Sequence, residues 1–99
     1  MKTHLPVIAC SLTAGGQRER LNEWKSLLAG AESREELPTG MRFRFRPELA
    51  ERVRSLAAAE QECCSFLRFD VVEAGDEVAM TVETEEAGQE ALRFIFGPA

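Results

Sequence analysis

The stretch Met41-Arg42-Phe43-Arg44-Phe45-Arg46-Pro47-Glu48-Leu49 decides the fold. Its first six residues alternate apolar and basic side chains without a break. Successive side chains of a β-strand point to opposite faces, so Met41, Phe43 and Phe45 share one face and Arg42, Arg44 and Arg46 the other. A strand with one face in the core and one in water belongs to a sheet covered on a single side. Pro47 lacks a backbone N–H and suits the first turn of a helix, where that donor has no partner in any case. Glu48 and Glu51 favour the same turn electrostatically, and Leu49, Val53, Leu56 and Ala57 then mark a buried helical stripe.

Upstream, Leu5 to Leu12 reads as a strand that carries Ile8, Cys10 and Leu12 on one face. Thr13 is the expected N-cap of a helix whose apolar positions are Leu21, Trp24, Leu27 and Leu28, with Gly30 as its stop and Trp24 laid on a sheet. Ala31 to Gly40, with Pro38 and Gly40, reads as a polar connection. Downstream of Cys64, Phe66, Leu67, Phe69, Val71 and Val72 precede Gly75-Asp76, and Val78, Met80 and Val82 alternate after it, the pattern of a β-hairpin. Thr84 or Glu85 opens a last short helix with Ala91, Leu92, Ile95 and Phe96, stopped by Gly97-Pro98. The order β-α-β-α-β-β-α predicts an α+β fold: a mixed or mostly antiparallel sheet with helices packed mainly on one face.

Composition narrows the function classes. The 99 residues, 44% hydrophobic and 29% charged, suit one globular domain over positions 1–99. No apolar run approaches the roughly 20 residues that span a bilayer, and Met1-Lys2-Thr3-His4-Leu5-Pro6 lacks an apolar signal core, so a cytoplasmic location away from membranes is expected. The net charge of −5 argues against a phosphate-binding surface, so no direct nucleic-acid partner is expected. Three cysteines, two of them adjacent, do not make a secreted disulfide framework; reduced thiols are expected.

The helix that starts at Pro47 ends in the feature with chemical content. At about 100° per residue, Glu60 falls within about 20° of Leu49, in the middle of the apolar stripe, while Glu62 points to water. A carboxylate withdrawn from water must be paired, hydrogen-bonded, protonated or bound to a metal. Cys63 at i+3 and Cys64 at i+4 lie beside it, and Cys10 faces inward from the sheet side. Thiolates select soft or thiophilic ions, zinc among them and mercury or arsenic by the same softness. Side chains of adjacent helical residues diverge by about 100°, so Cys10 with one member of the pair is the more natural two-thiol set. Free cysteines also pack as small hydrophobes, and Glu60 could instead pair with an arginine such as Arg42. Thiolate formation is favoured at helix N-termini, whereas this pair sits near a C-terminus, which ranks a cysteine-nucleophile enzyme below a binding role.

Glu60-Gln61-Glu62-Cys63-Cys64-Ser65-Phe66, preceded by Leu56-Ala57-Ala58-Ala59, resembles a small bacterial cysteine-pair domain. That domain occurs as a C-terminal extension of MerR-type heavy-metal-responsive regulators and as free-standing uncharacterised proteins. The likeness extends through Cys10-Ser11-Leu12-Thr13, the Arg20-Leu21-x-x-Trp24 helix and Phe96-Gly97. The resemblance implies a sensor or metal-handling accessory domain with Cys10, Cys63, Cys64 and Glu60 as its metal positions. The helix-turn-helix of such regulators is not in this sequence, which points to a free-standing module with a second copy or a regulator domain as protein partner. Three readings stand: a thiol-dependent site for a soft metal or metalloid ion, a small thiol redox protein or cysteine-nucleophile enzyme, and an interaction module with structural cysteines.

Overall fold

The computed structural model describes residues 14–97, in the order α1 (Ala14–Leu28), β1 (Ser33–Leu37), β2 (Gly40–Phe45), α2 (Ala50–Cys63), β3 (Arg68–Ala74), β4 (Glu77–Glu83) and α3 (Gln89–Phe96). The expected strand Leu5 to Leu12, and with it Cys10 and the Thr13 cap, lies outside the described residues. Short 3-10 turns, Pro47–Leu49 and Glu86–Gly88, lead into α2 and α3. Pro47 occupies the start of the first of these, as its missing N–H requires.

The four strands form one antiparallel sheet in the order β1-β2-β4-β3. The alternation of residues 41–46 is realised in β2: Met41 lies opposite Val82, Phe43 opposite Met80 and Phe45 opposite Val78, all buried on one face. All three helices cover that face. Trp24 and Leu27 of α1, Val53 and Ala57 of α2, and Leu92 and Phe96 of α3 join the strand residues in a single core cluster. The other face keeps its charges in water: Arg44 reaches Glu35 at 3.7 Å and Glu77 at 3.3 Å, and Arg42 reaches Glu35 at 3.3 Å.

β1 corrects the expected polar connection between Ala31 and Gly40. Ser33–Leu37 pairs in register with β2, from Ser33 opposite Arg44 to Leu37 opposite Gly40, with Pro38 and Thr39 as a two-residue hairpin loop. Its residues are charged and exposed because it is an edge strand, where charge blocks pairing with another chain. Ladder hydrogen bonds and the guanidinium of Arg34, 5.4 Å from the ring centre of Phe43, hold it in place of apolar alternation. At the β3–β4 hairpin, Gly75 has φ of +62°, a left-handed conformation that glycine adopts without steric cost.

Candidate functional site

The site forms where α2 ends against α1. α2 brings Glu60 onto its buried face one turn before Cys63, the last helical residue, and Cys64 leaves the helix with φ −124° and ψ 80°. The chain after it is fixed at several points. Leu67 N–H donates to the Cys64 carbonyl at 3.1 Å, Thr84 Oγ1 donates to the Phe66 carbonyl at 2.8 Å, and the side-chain amide of Gln61 bridges Leu67 and Phe69. Cys64 is thus held at a rigid corner between α2 and β3.

Glu60 is 2% exposed, and three donors compensate its loss of water. Its Oε1 accepts the indole N–H of Trp24 at 2.8 Å and a guanidinium N–H of Arg20 at 3.1 Å. Its Oε2 accepts the thiol hydrogen of Cys64 at 3.0 Å. No buried side-chain nitrogen or oxygen among the described residues lacks a partner. Arg42 is not that partner, contrary to the expected alternative. It lies on the opposite face of the sheet, with Thr81 and Glu35.

Arg20 connects the carboxylate to the second thiol, its Nη1 lying 4.0 Å from Cys63 Sγ. Burial works against its charge, but the hydrogen bond and the negative charge of Glu60, with a further share from Cys63, outweigh burial and raise its pKa above the usual arginine value. Arg20 also approaches Glu23 at 3.6 Å on its own helix. The two cysteines therefore differ in surroundings. Cys64 is buried and tied to the acid, whereas Cys63 is half-buried beside the base.

Of the four positions expected to take a metal, Glu60 and Cys64 are in direct contact, Cys63 joins them through Arg20, and Cys10 lies outside the described residues. Among the described residues, no three His, Cys, Asp or Glu side chains are grouped as a metal site. Arg20 and Trp24 were not among the expected positions. Their i, i+4 spacing on α1, and the need of a buried indole N–H for an acceptor, are the signals that pair them with Glu60. Trp24 also stacks on Phe69 at 5.8 Å between ring centres and meets Phe96 edge-on at 4.8 Å.

No family model, curated protein or solved structure matches this chain. No helix among the described residues is long and apolar enough to cross a membrane.

Proposed function

We propose that this chain is a thiol-dependent binding or sensing domain for a soft metal or metalloid ion, working in the cytoplasm as an accessory to metal resistance or regulation. One observation carries this reading: two adjacent cysteines share one acid–base cluster, with Cys64 donating to buried Glu60 and Cys63 half-exposed beside Arg20. A thiol binds a metal as the thiolate, so binding releases protons. Glu60 Oε2 already receives the Cys64 hydrogen and is placed to take it, while Arg20 supplies positive charge beside Cys63 and Glu60.

The donor set narrows the ion. Zinc in structural sites takes four tetrahedral ligands. Two thiols and a carboxylate already occupied by three donors fall short of that. Mercury(II) and arsenic(III) accept fewer, softer donors and suit Cys63 and Cys64, with Cys10 as the third thiol where one is used. Kinship with the accessory domains of MerR-type regulators is part of the same proposal, with a regulator domain as protein partner.

Titrating the reduced protein with Hg(II), As(III) and Zn²⁺ while counting free thiols tests it. Protection of Cys63 and Cys64 by one ion per chain, abolished in Cys63→Ser, is expected. Unchanged thiol reactivity and no bound ion overturn it. A second reading, thiol–disulfide exchange with Cys63 as the attacking and Cys64 as the resolving thiol, is favoured by their unequal exposure. A bond between Cys63 and Cys64 on mild oxidation, found by peptide mapping, selects that reading.

A further inference from the structure

An open cleft of about 370 Å³ lies along the seam of α1 and α2, lined by Arg20, Glu23, Arg52, Ser55, Leu56 and Ala59. Its volume is within the range of small-molecule sites. Two guanidiniums, one carboxylate and one hydroxyl surround an apolar floor, which is the complement of a small zwitterion carrying carboxylates, an ammonium and a short apolar stem. On α2, Arg52, Ser55, Ala59 and Cys63 succeed one another at steps of three and four residues, so they form one row and the cleft runs toward the half-buried thiol. Arg20 belongs to both places, lining the cleft while its Nη1 lies 4.0 Å from Cys63 Sγ.

We infer that this cleft recognises a small carboxylate-bearing peptide thiol, as its disulfide or as a carrier of a soft ion, and presents its sulfur to Cys63. The inference rests on Cys63 as the entry thiol and adds the class of molecule that reaches it. Dimensions agree: Arg52 and Cys63 are separated by about 16 Å along the helix, and an extended tripeptide of roughly 10 Å together with the reach of the arginine side chain covers that span. Among the described residues, Arg52 is exposed and spends one guanidinium N–H on Ser26 Oγ at 3.1 Å, and the flat fork of five donors can also meet a carboxylate. In the disulfide case, the Cys63 thiolate forms a bond to one sulfur, the reagent S–S bond breaks, and the other half leaves as a thiolate with the bonding pair. Cys63 and the captured half become the oxidised pair, and the departing half is reduced.

Two disulfides with the same reacting bond and opposite charge test this: glutathione disulfide, rich in carboxylates, and cystamine, which carries ammonium groups. Mixed-disulfide formation at Cys63 is followed by peptide mass spectrometry, with the urea-denatured chain giving the intrinsic rate ratio. Folding is expected to shift the ratio toward glutathione disulfide, and Arg52→Gln to remove roughly threefold to tenfold of that preference with the cystamine rate unchanged, while Arg52→Lys keeps most of it. A ratio unaltered by folding or by Arg52→Gln overturns the cleft as the recognition element. Hg(II) protection of the thiols, measured on the same Arg52→Gln protein, separates this outcome from failure of the soft-ion reading, because Arg52 touches neither thiol. Absence of any adduct at Cys63 with either disulfide overturns both the entry-thiol assignment and the inference built on it.

Discussion

Replacing Glu60 by alanine removes the acceptor of three donors at once, and the structure sets the size of the effect. The indole N–H of Trp24, a fully buried residue, loses its partner at 2.8 Å, and a buried neutral donor left without one costs about 1–3 kcal/mol. Arg20 loses its 3.1 Å partner, but its side chain is 17% exposed and Glu23 remains at 3.6 Å, so this share is discounted to about 1 kcal/mol. The thiol of Cys64 is a weak donor and adds little. The sum is about 3 kcal/mol, a large fraction of the stability of a small domain.

Glutamine keeps the volume and one acceptor oxygen, so Glu60→Gln retains a bond to Trp24 and loses mainly the charge, at about half that cost. Urea unfolding followed by far-ultraviolet circular dichroism measures both, with an unchanged slope confirming that the shift is one of stability. The alanine variant should melt roughly 12–24 °C lower than the parent. If Glu60→Ala unfolds within about 1 kcal/mol of the parent, the carboxylate is not the tie between α1 and α2 described above.

Trp24→Phe deletes one donor to Glu60, and its double-mutant cycle with Glu60→Ala, which removes the acceptor, should return a coupling of about 1 kcal/mol; a coupling near zero removes the direct contact. Cys63 should react with a maleimide well before Cys64 in the native protein, and Cys64→Ala should cost about 1–2 kcal/mol in urea melts where Cys63→Ala costs less than about 0.5 kcal/mol. Gly40→Ala should destabilise by about 2 kcal/mol or more in thermal melts, because its Cβ would sit 1.9 Å from the Val82 carbonyl oxygen, a backbone atom that moves only with the sheet. Glu35→Ala should change stability by no more than about 0.5 kcal/mol, since its pairs with Arg42 and Arg44 are half in water.

The elements legible in the sequence are those in which burial imposes a period. Met41, Phe43 and Phe45 alternate because one face of β2 is covered, and Val53, Leu56 and Ala57 recur because one stripe of α2 is covered, with the partly buried Leu49 just ahead of it in the 3-10 turn. Ser33–Leu37 carries no such period, because an edge strand is held by the ladder to β2 and has little to bury. Glu60 stood out as a charge inside an apolar stripe. Its partners did not, because Arg20 and Trp24 are 40 and 36 residues away in the chain and meet it only once α1 packs on α2. Helical angles placed both cysteines near Glu60. They could not show that the helix stops between them, which is what separates a buried thiol from a half-exposed one.

The same packing explains how an event at the thiols would reach the rest of the domain. Sensing requires that the bound and free states differ in interaction free energy at an element other than the binding residues. Here the Cys64 thiol and the Trp24 indole donate to the two oxygens of one carboxylate, so removing the thiol hydrogen changes the charge balance at the atom group that holds α1. Trp24 carries that change onward, since its ring stacks on Phe69 of β3 and meets Phe96 of α3 edge-on. The ion pairs on the outer face lack this property, because water compensates each of them separately. On the proposed function, coupling would run through Glu60 and Trp24, with the lone tryptophan as its reporter: Hg(II) should alter the fluorescence of the parent and leave that of Cys63→Ser unchanged. An equal change in both proteins would mean that the metal quenches the indole from elsewhere, and that the thiols and α1 are not coupled.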